Sequence, residues 1–580
     1  MNLKSPLIKV VLALVFITTA LFTAPKAWFP HQWRVNVYEW LGAEGYSQSP
    51  PSKAYTLPTA EEICPRDEKG WRQAQVIEGV EIAESKGCMP DNPYLVAAVV
   101  KGTNNVSQST LLRSGLMHDT VELGRDLDGD GDPDEVHIKL EVAELNGGSP
   151  DIPANVTTFD IAPGIQPGLW AFVPKSFGMS TRNFETRQAS SLIRIPAPAI
   201  RVEQGDKVIV SLENTHYLPH TIHFHGVDHP FASDHGMPHD ELSSHLHGKG
   251  TDGVAETSEM PAMPGSEQVY QFQPRQAGTM FYHCHVQANV HILMGMQGMF
   301  VVEENRPNNW LQTLNIGGGL VRHSSVAVRE EYKREYDLHY MDASKALGET
   351  IQTHTDPRLT IMDQHRKWDI TNSPADYYLL NGRSFPYTLQ ESLVIVGPNE
   401  KIKLRVLNGG SEGIAFHPHG FRPTVTHLDG IPLSADNQIT RDVFWIAPAQ
   451  RNDLSLTTIN DGFHNYGEGI WLFHDHREAG QTTDGIYPGG SINAITFEAY
   501  LNENGFPKVE AVDWQKFFTP EYYRKEVPVW YDYDVKGLFG EIDVPVSALL
   551  QYVFFGFSLG GILVLVVHTV LGLRKNRSTK

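Results

Sequence analysis

Apolar and polar positions alternate in short bursts along most of this chain, and two stretches break the texture by being uncharged throughout. From Val544 to Leu573 there is no Asp, Glu, Lys or Arg. At about 1.5 Å per helical residue such a run exceeds the roughly 30 Å hydrocarbon layer of a bilayer, which predicts a transmembrane helix over 544–573. Arg574, Lys575, Arg577 and Lys580 follow at once. A positive flank of this kind marks a cytoplasmic tail, 574–580, and leaves the preceding chain on the periplasmic or extracellular side. At the other end, Lys4 and Lys9 precede the uncharged run Val10 to Pro25. That run is short for a span, so 1–26 reads as an export signal, cleaved or kept as an anchor.

Between these segments the pattern is that of half-buried strands separated by Gly, Pro, Asn and Asp turns. His137-Ile-Lys-Leu-Glu-Val142, Ile200 to Leu212, Gln268 to Phe272 and Gly298 to Val302 form one block. Glu391 to Val396, Lys401 to Val406 and Ile492 to Phe497 form a second. The fold expected is all-β, with two sandwich domains of one kind, at 135–305 and 376–500. They are joined by a charged connector, 306–375, preceded by an N-terminal extension, 27–134, and followed by a linker, 501–543.

At 580 residues the chain exceeds a single core. A formal charge of −21 argues against a nucleic-acid partner, since a phosphate-binding face needs excess Lys and Arg. Cys64 and Cys88 lie in the extension and suit a disulfide in an oxidising compartment, whereas Cys284 has no third partner. In the same extension Asp126, Asp128, Asp130, Asp132 and Asp134 alternate with other residues, a candidate calcium loop. An EF-hand count from Asp126 reaches His137 where a Glu belongs, so a true EF-hand is not expected.

The chemistry concentrates in four His-x-His pairs: His223/His225, His283/His285, His417/His419 and His474/His476. On a strand, positions i and i+2 share a face, so each pair offers two imidazoles to one side, and neutral imidazole suits copper. Each block carries two pairs. Cys284, between His283 and His285, points to the opposite face. With His220, His291 and Met296 it makes the Cys, two His and Met set of a blue-copper electron-transfer site.

These motifs resemble the multicopper oxidase family, which is built of cupredoxin-like Greek-key domains. His220-Thr-Ile-His223-Phe-His225-Gly226 is similar to the family strand that gives one type 1 ligand and two cluster ligands. The resemblance covers residues 135 to 500. It implies a type 1 copper on His220, Cys284, His291 and Met296. It also implies a type 2/type 3 cluster of three coppers on His223, His225, His283, His285, His417, His419, His474 and His476. A donor, phenol-like or a metal ion such as Cu(I), would then be oxidised one electron at a time while dioxygen becomes water. Laccase-like two-domain members with the type 1 copper in the first domain are homotrimers, with each cluster between subunits, and the same state is implied here.

Departures remain. The interval from Cys284 to His291 is two residues longer than the family's, so Met294 and Met299 compete with Met296 for the axial position. Ile414 and Asp475 stand where a second type 1 site would need His and Cys. Asp228 is a candidate proton donor. His229, His235, Met237, His239, His245, His247, Met260 and Met263 form a loop that reads first as polar decoration and second as a set of soft and imidazole donors for Cu(I) or another reductant metal. Two alternatives are a copper nitrite reductase-like enzyme, which needs fewer histidines, and a membrane-anchored copper-tolerance protein without turnover. Phenols, Cu(I), Mn(II), Fe(II) and a redox protein all stay open as donor.

Overall fold

The computed structural model describes residues 6–23, 75–77, 80–82, 121–129, 133–147, 159–175, 194–227, 252–305, 313–315, 319–322, 325–326, 331–354, 356–509, 514–523 and 546–577. The chain is mostly β and divides into a central unit and a terminal unit.

In the first half of the central unit the strands are β1 (Glu135–Leu145), β2 (Leu169–Pro174), β3 (Ala197–Glu203), β4 (Lys207–Glu213), β5 (His223–His225), β6 (Glu267–Phe272), β7 (Gly278–His283) and β8 (Gln297–Glu303). One sheet runs β2, β1, β4, β6, with β1 and β4 parallel. The other runs β3, β8, β7, β5, with β3 and β8 parallel. Apolar residues at every second position line the space between them. Val136, Ile138 and Leu140 of β1 share a core with Val208 and Val210 of β4 and with Phe224, Tyr282 and Phe300 from the facing sheet. A one-residue slip in any of these strands would turn that apolar set outward.

The second half repeats the plan with β9 (Arg334–Ala343), β10 (Tyr377–Leu380), β11 (Val394–Val396), β12 (Lys401–Asn408), β13 (Ile414–Pro418), β14 (Thr424–Leu428), β15 (Phe444–Ile446), β16 (Arg451–Thr457), β17 (Ile470–Asp475) and β18 (Asn493–Phe497). Here β9 and β12 are parallel and continue into β16 and β14. In the facing sheet β11 and β18 are parallel and continue into β17, β13 and β15. Leu338, Leu404, Val406 and Leu454 meet Phe416, Phe473 and Ile495 in its core.

β9 lies inside the stretch expected to be a polar connector. Its sequence, Arg-Glu-Tyr-Asp-Leu-His-Tyr-Met-Asp-Ala, is rich in charge, yet every one of its residues is buried. Tyr336, Leu338 and Tyr340 face the second core. Glu335 and Asp337 instead join an ion network between the two halves. Arg201 of β3 meets Glu303 at 2.5 Å and also pairs with Asp337, while Arg405 of β12 pairs with Glu335 and lies 3.1 Å from Asp453. Thr279 of β7 bridges the network, donating to Asp453 at 2.5 Å and accepting from Arg405 at 2.7 Å. Burying such charges costs free energy unless all are paired. Arg405→Leu removes the nearest cation from buried Glu335 and Asp453, and is expected to destabilise the chain by about 3–5 kcal/mol, read as a lower urea midpoint. A loss below about 1 kcal/mol would contradict this role.

After β9 the chain crosses back to the first half. Helix α1 (Ala288–His291) belongs to the turn between β7 and β8, and α2 (Lys345–Thr353) and α3 (Pro357–Met362) follow β9. The Ser344 side chain caps α2, and Leu347 and Ile351 of that helix sit in the first core. A π-helical turn, Asp363–Lys367, extends α3.

The terminal unit pairs helix Pro6–Thr23 with helix Val546–Arg577. The rings of Phe16 and Phe557 lie 6.2 Å apart. Val553–Leu571, with mean hydropathy 2.2, is long and apolar enough to cross a membrane. Its side chains are largely exposed, Phe557 by 71% and Leu563 by 63%, as expected where lipid rather than protein is the solvent.

Candidate metal centres

In the first half, β5 and β7 pair so that His223 faces His283 and Phe281 faces His225. Their imidazoles converge, with His225 Nε2 and His283 Nε2 3.1 Å apart. The opposite ring nitrogens are taken by backbone carbonyls: His223 Nδ1 by Asp252 O at 2.5 Å and His283 Nδ1 by Cys284 O at 2.9 Å. That fixes the tautomer and leaves Nε2 free to bind a metal. Burial pushes the pKa of His225 down to about 2 and that of His283 down to about 3. Both rings are thus held in the neutral, ligating form. His285 lies beyond the strand with Glu256 3.4 Å from its Nδ1.

The second half builds the same arrangement. His417 on β13 faces His474 on β17, and His419 Nε2 lies 3.3 Å from His474 Nε2. Asp442 O meets His417 Nδ1, and Asp475 O meets His474 Nδ1, each at 3.1 Å. The His476 ring lies 5.3 Å from that of His417. Each half therefore gathers a trio, His223/His225/His283 and His417/His419/His474, whose ligand atoms lie within 4.8 Å of one another. Among the described residues no such group draws from both halves.

Behind the first trio lies a different donor set. Cys284 Sγ is 3.2 Å from His291 Nδ1 and 3.6 Å from His220 Nδ1, and all three residues are fully buried. Burial pushes the thiol up to about 12 and holds both histidines neutral. A bound cation would reverse the cost of the thiolate. One soft thiolate and two imidazoles in a dry pocket fit copper. Met296 brackets the site through its backbone: its carbonyl accepts from Cys284 N at 3.0 Å, and its own N–H donates to His291 O at 3.1 Å. Met294 and Met296 share the core of Cys284, whereas Met299 packs with Phe281 and Leu407 in another cluster. The Met294 sulfur accepts from Gln364 Nε2 at 3.8 Å.

In the second half this pocket is closed. Ile414 is packed in the core, and Asp475 accepts from Ala415 N at 2.9 Å and pairs with Arg477 at 2.7 Å.

Several neighbours escaped sequence reasoning. His216 Nδ1 lies 2.9 Å from His220 Nε2, and its far side approaches buried Glu144, which accepts from Tyr217 and Trp170. Trp170 also packs edge-on against His291. His365 approaches the Nε2 of His291 at 3.3 Å. Only the spacing of His216, four before His220, hinted at its place.

Asp126, Asp128 and Asp134 do converge within 4.8 Å. Burial and the neighbouring carboxylates raise Asp134 to about 6, against the pull of backbone N–H donors. Asp130, Asp132, Asp228, Cys64 and Cys88 lie outside the described residues, as do His229, His235, Met237, His239, His245 and His247.

Residues 193–307, which hold the whole Cys284 pocket and the first trio, match the family model described as Multicopper oxidase. The copper resistance protein A of Pseudomonas syringae pv. tomato is 24% identical over 48% of this chain and 43% of its own length. The iron transport multicopper oxidase FET3 of Saccharomyces cerevisiae is 24% identical over 63% of this chain and 48% of its own. The chain thus spans less than half the length of these relatives. A solved blue copper oxidase from Nitrosomonas europaea aligns with 67% of this chain and 93% of its own, at 24% identity and a TM-score of 0.45. The similarity to multicopper oxidases is thus carried by residues 193–307, the segment that holds the Cys284 pocket and the first histidine trio.

Proposed function

We propose that this chain is a two-domain oxidase of cupredoxin-like Greek-key sandwiches that oxidises a donor by single electrons and reduces dioxygen to water. The carrying observation is the pair of matching histidine trios, one per half, with a buried Cys-His-His pocket behind the first alone. His220, Cys284 and His291, with Met296 beside them, would hold a type 1 copper. His223, His225, His283 and His285 would hold part of a three-copper cluster, and His417, His419, His474 and His476 the rest. Copper bound at these places would supply one-electron steps and the four-electron reduction of oxygen.

The protein's own residues do the rest. Carbonyls of Asp252, Cys284, Asp442 and Asp475 orient the ligand rings. The covalent run from Cys284 to His283 and His285 makes a bonded path between the two kinds of site. Exposed Glu256 and Asp442, beside His285 and His417, are candidate proton carriers in the place sought for Asp228.

Among the described residues no group of ligand atoms within 4.8 Å draws from both halves, which supports a homotrimer with clusters at the subunit junctions. Around β15, Trp445 is 62% exposed and Ile439 47%, apolar surface suited to such a junction. The helix Val546–Arg577 would anchor the assembly, with the catalytic part exported. A calcium ion on Asp126, Asp128 and Asp134 belongs to the same proposal. A nitrite reductase needs no second trio, and a storage protein needs no cysteine bonded between two cluster ligands. Oxygen uptake by the copper-loaded chain, offered a phenol, Fe(II) and Cu(I) in turn, tests the reading. Uptake with at least one donor is expected, and copper binding with no uptake from any would favour storage.

A further inference from the structure

Of the two imidazoles beside Cys284, one leads inward. His220 Nε2 contacts His216, which is 5% exposed and continues to Glu144, itself 2% exposed. His291 leads the other way. Its Nδ1 faces Cys284 and its Nε2 faces His365 Nε2 at 3.3 Å, with ring centroids 5.4 Å apart. His291 is fully buried, whereas His365 is half-buried and borders solvent. Among the described residues, the contact with His365 is the connection that carries His291 to the surface.

The segment that delivers His365 is built for position. It lies on the π-helical turn Asp363–Lys367, and such turns shift one residue out of the regular helical ladder. Gln364 fixes the turn from below: its amide donates to Thr350 Oγ1 of α2 at 2.7 Å and to the Met294 sulfur. Ile361 and Trp368, on either side, pack onto the first core. Asp363 binds His354 at 2.7 Å and Lys367 at 2.6 Å, tying the outer side of the turn. The turn belongs to the crossover between the halves, 74 positions from His291 in sequence.

We propose that His365 is the electron-entry residue: an outside donor meets its imidazole, and electrons reach the buried Cys284 pocket through His365 and then His291. This rests on the proposed electron-transfer role of that pocket. In each event the donor would lose one electron, and a cupric ion held by His220, Cys284 and His291 would take it up and become cuprous.

The test uses the copper-loaded full chain, without oxygen, and the substitution-inert reductant hexaammineruthenium(II). This reductant becomes the ruthenium(III) complex and transfers no proton. Bleaching of the blue absorption is followed by stopped flow in the wild type, H365L, H365F and H365Q. Leu and Phe keep His291 covered but remove the polar bridge, and Gln restores a hydrogen-bonding group. With blue absorption and copper content unchanged, reduction should slow about tenfold or more in H365L and H365F, in the range typical of residues behind a metal ligand, and largely recover in H365Q. A merely structural residue would move the spectrum or copper content rather than this rate. Reduction as fast as wild type, in whichever of H365L and H365F keeps the blue absorption, overturns the proposal. A wild-type chain with no blue absorption would instead overturn the function on which it rests.

Discussion

Mixing two inactive variants in the proposed trimer is expected to restore oxygen consumption. His225→Ala removes a ligand from the first-half trio and His419→Ala one from the second, and each variant alone should be inactive. If every cluster forms between one chain's first half and its neighbour's second half, any mixed ring of three contains one junction where both partners are intact. Differently tagged variants, co-expressed and isolated through both tags, are then expected to show about a third of wild-type activity per assembly. Activity no higher than the single variants would mean that no cluster is shared between subunits. The prediction follows from the two trios, each closed within 4.8 Å and neither containing a ligand from the other half.

Cys284→Ser carries the second large effect. Serine is nearly isosteric with cysteine, and residue 284 is fully buried in the first core, so the fold should tolerate the change. The hydroxyl is a hard, weak ligand where copper needs a soft thiolate. The blue absorption should vanish and copper content should fall by one ion per chain. Changes behind a ligand typically cost 10–100-fold, so loss of the ligand itself should lower donor-driven oxygen uptake by about 100-fold or more. The histidine trios should keep their metal, because their rings are oriented by backbone carbonyls that the substitution leaves in place. A serine variant that stays blue would remove Cys284 from the metal site.

Much of this arrangement was legible in the sequence because strand geometry converts spacing into position. Two residues apart on a strand means one face, so His223/His225 and His417/His419 announced convergent imidazoles, and β5–β7 and β13–β17 supply the registers that join them to His283 and His474. That the second half lacks the Cys-His-His donor set, among the described residues, was also readable, since Ile414 and Asp475 stand where the first half has His220 and Cys284. Strand β9 was not legible. Its charged positions look like a solvated connector, and only the partners Arg201 and Arg405, distant in sequence, explain why they are buried. His365 was hidden for a related reason: nothing local marks a residue whose proposed role depends on a helical turn folding back onto the first half from 74 positions away. Packing also separates Met294, Met296 and Met299 in a way that spacing does not. Met299 turns to another cluster, and the Met294 sulfur meets Gln364.

Stoichiometry tests whether the buried pocket and the paired trios together reduce oxygen. The copper-loaded full chain is given a measured amount of the donor that drives fastest uptake, and oxygen and hydrogen peroxide are followed together. Four electrons should be taken from the donor for each dioxygen consumed, with no peroxide released, and uptake by the Cys284→Ser chain should fall about 100-fold or more under the same conditions. Two electrons per dioxygen with peroxide accumulating, or uptake unchanged in the serine variant, would contradict that expectation.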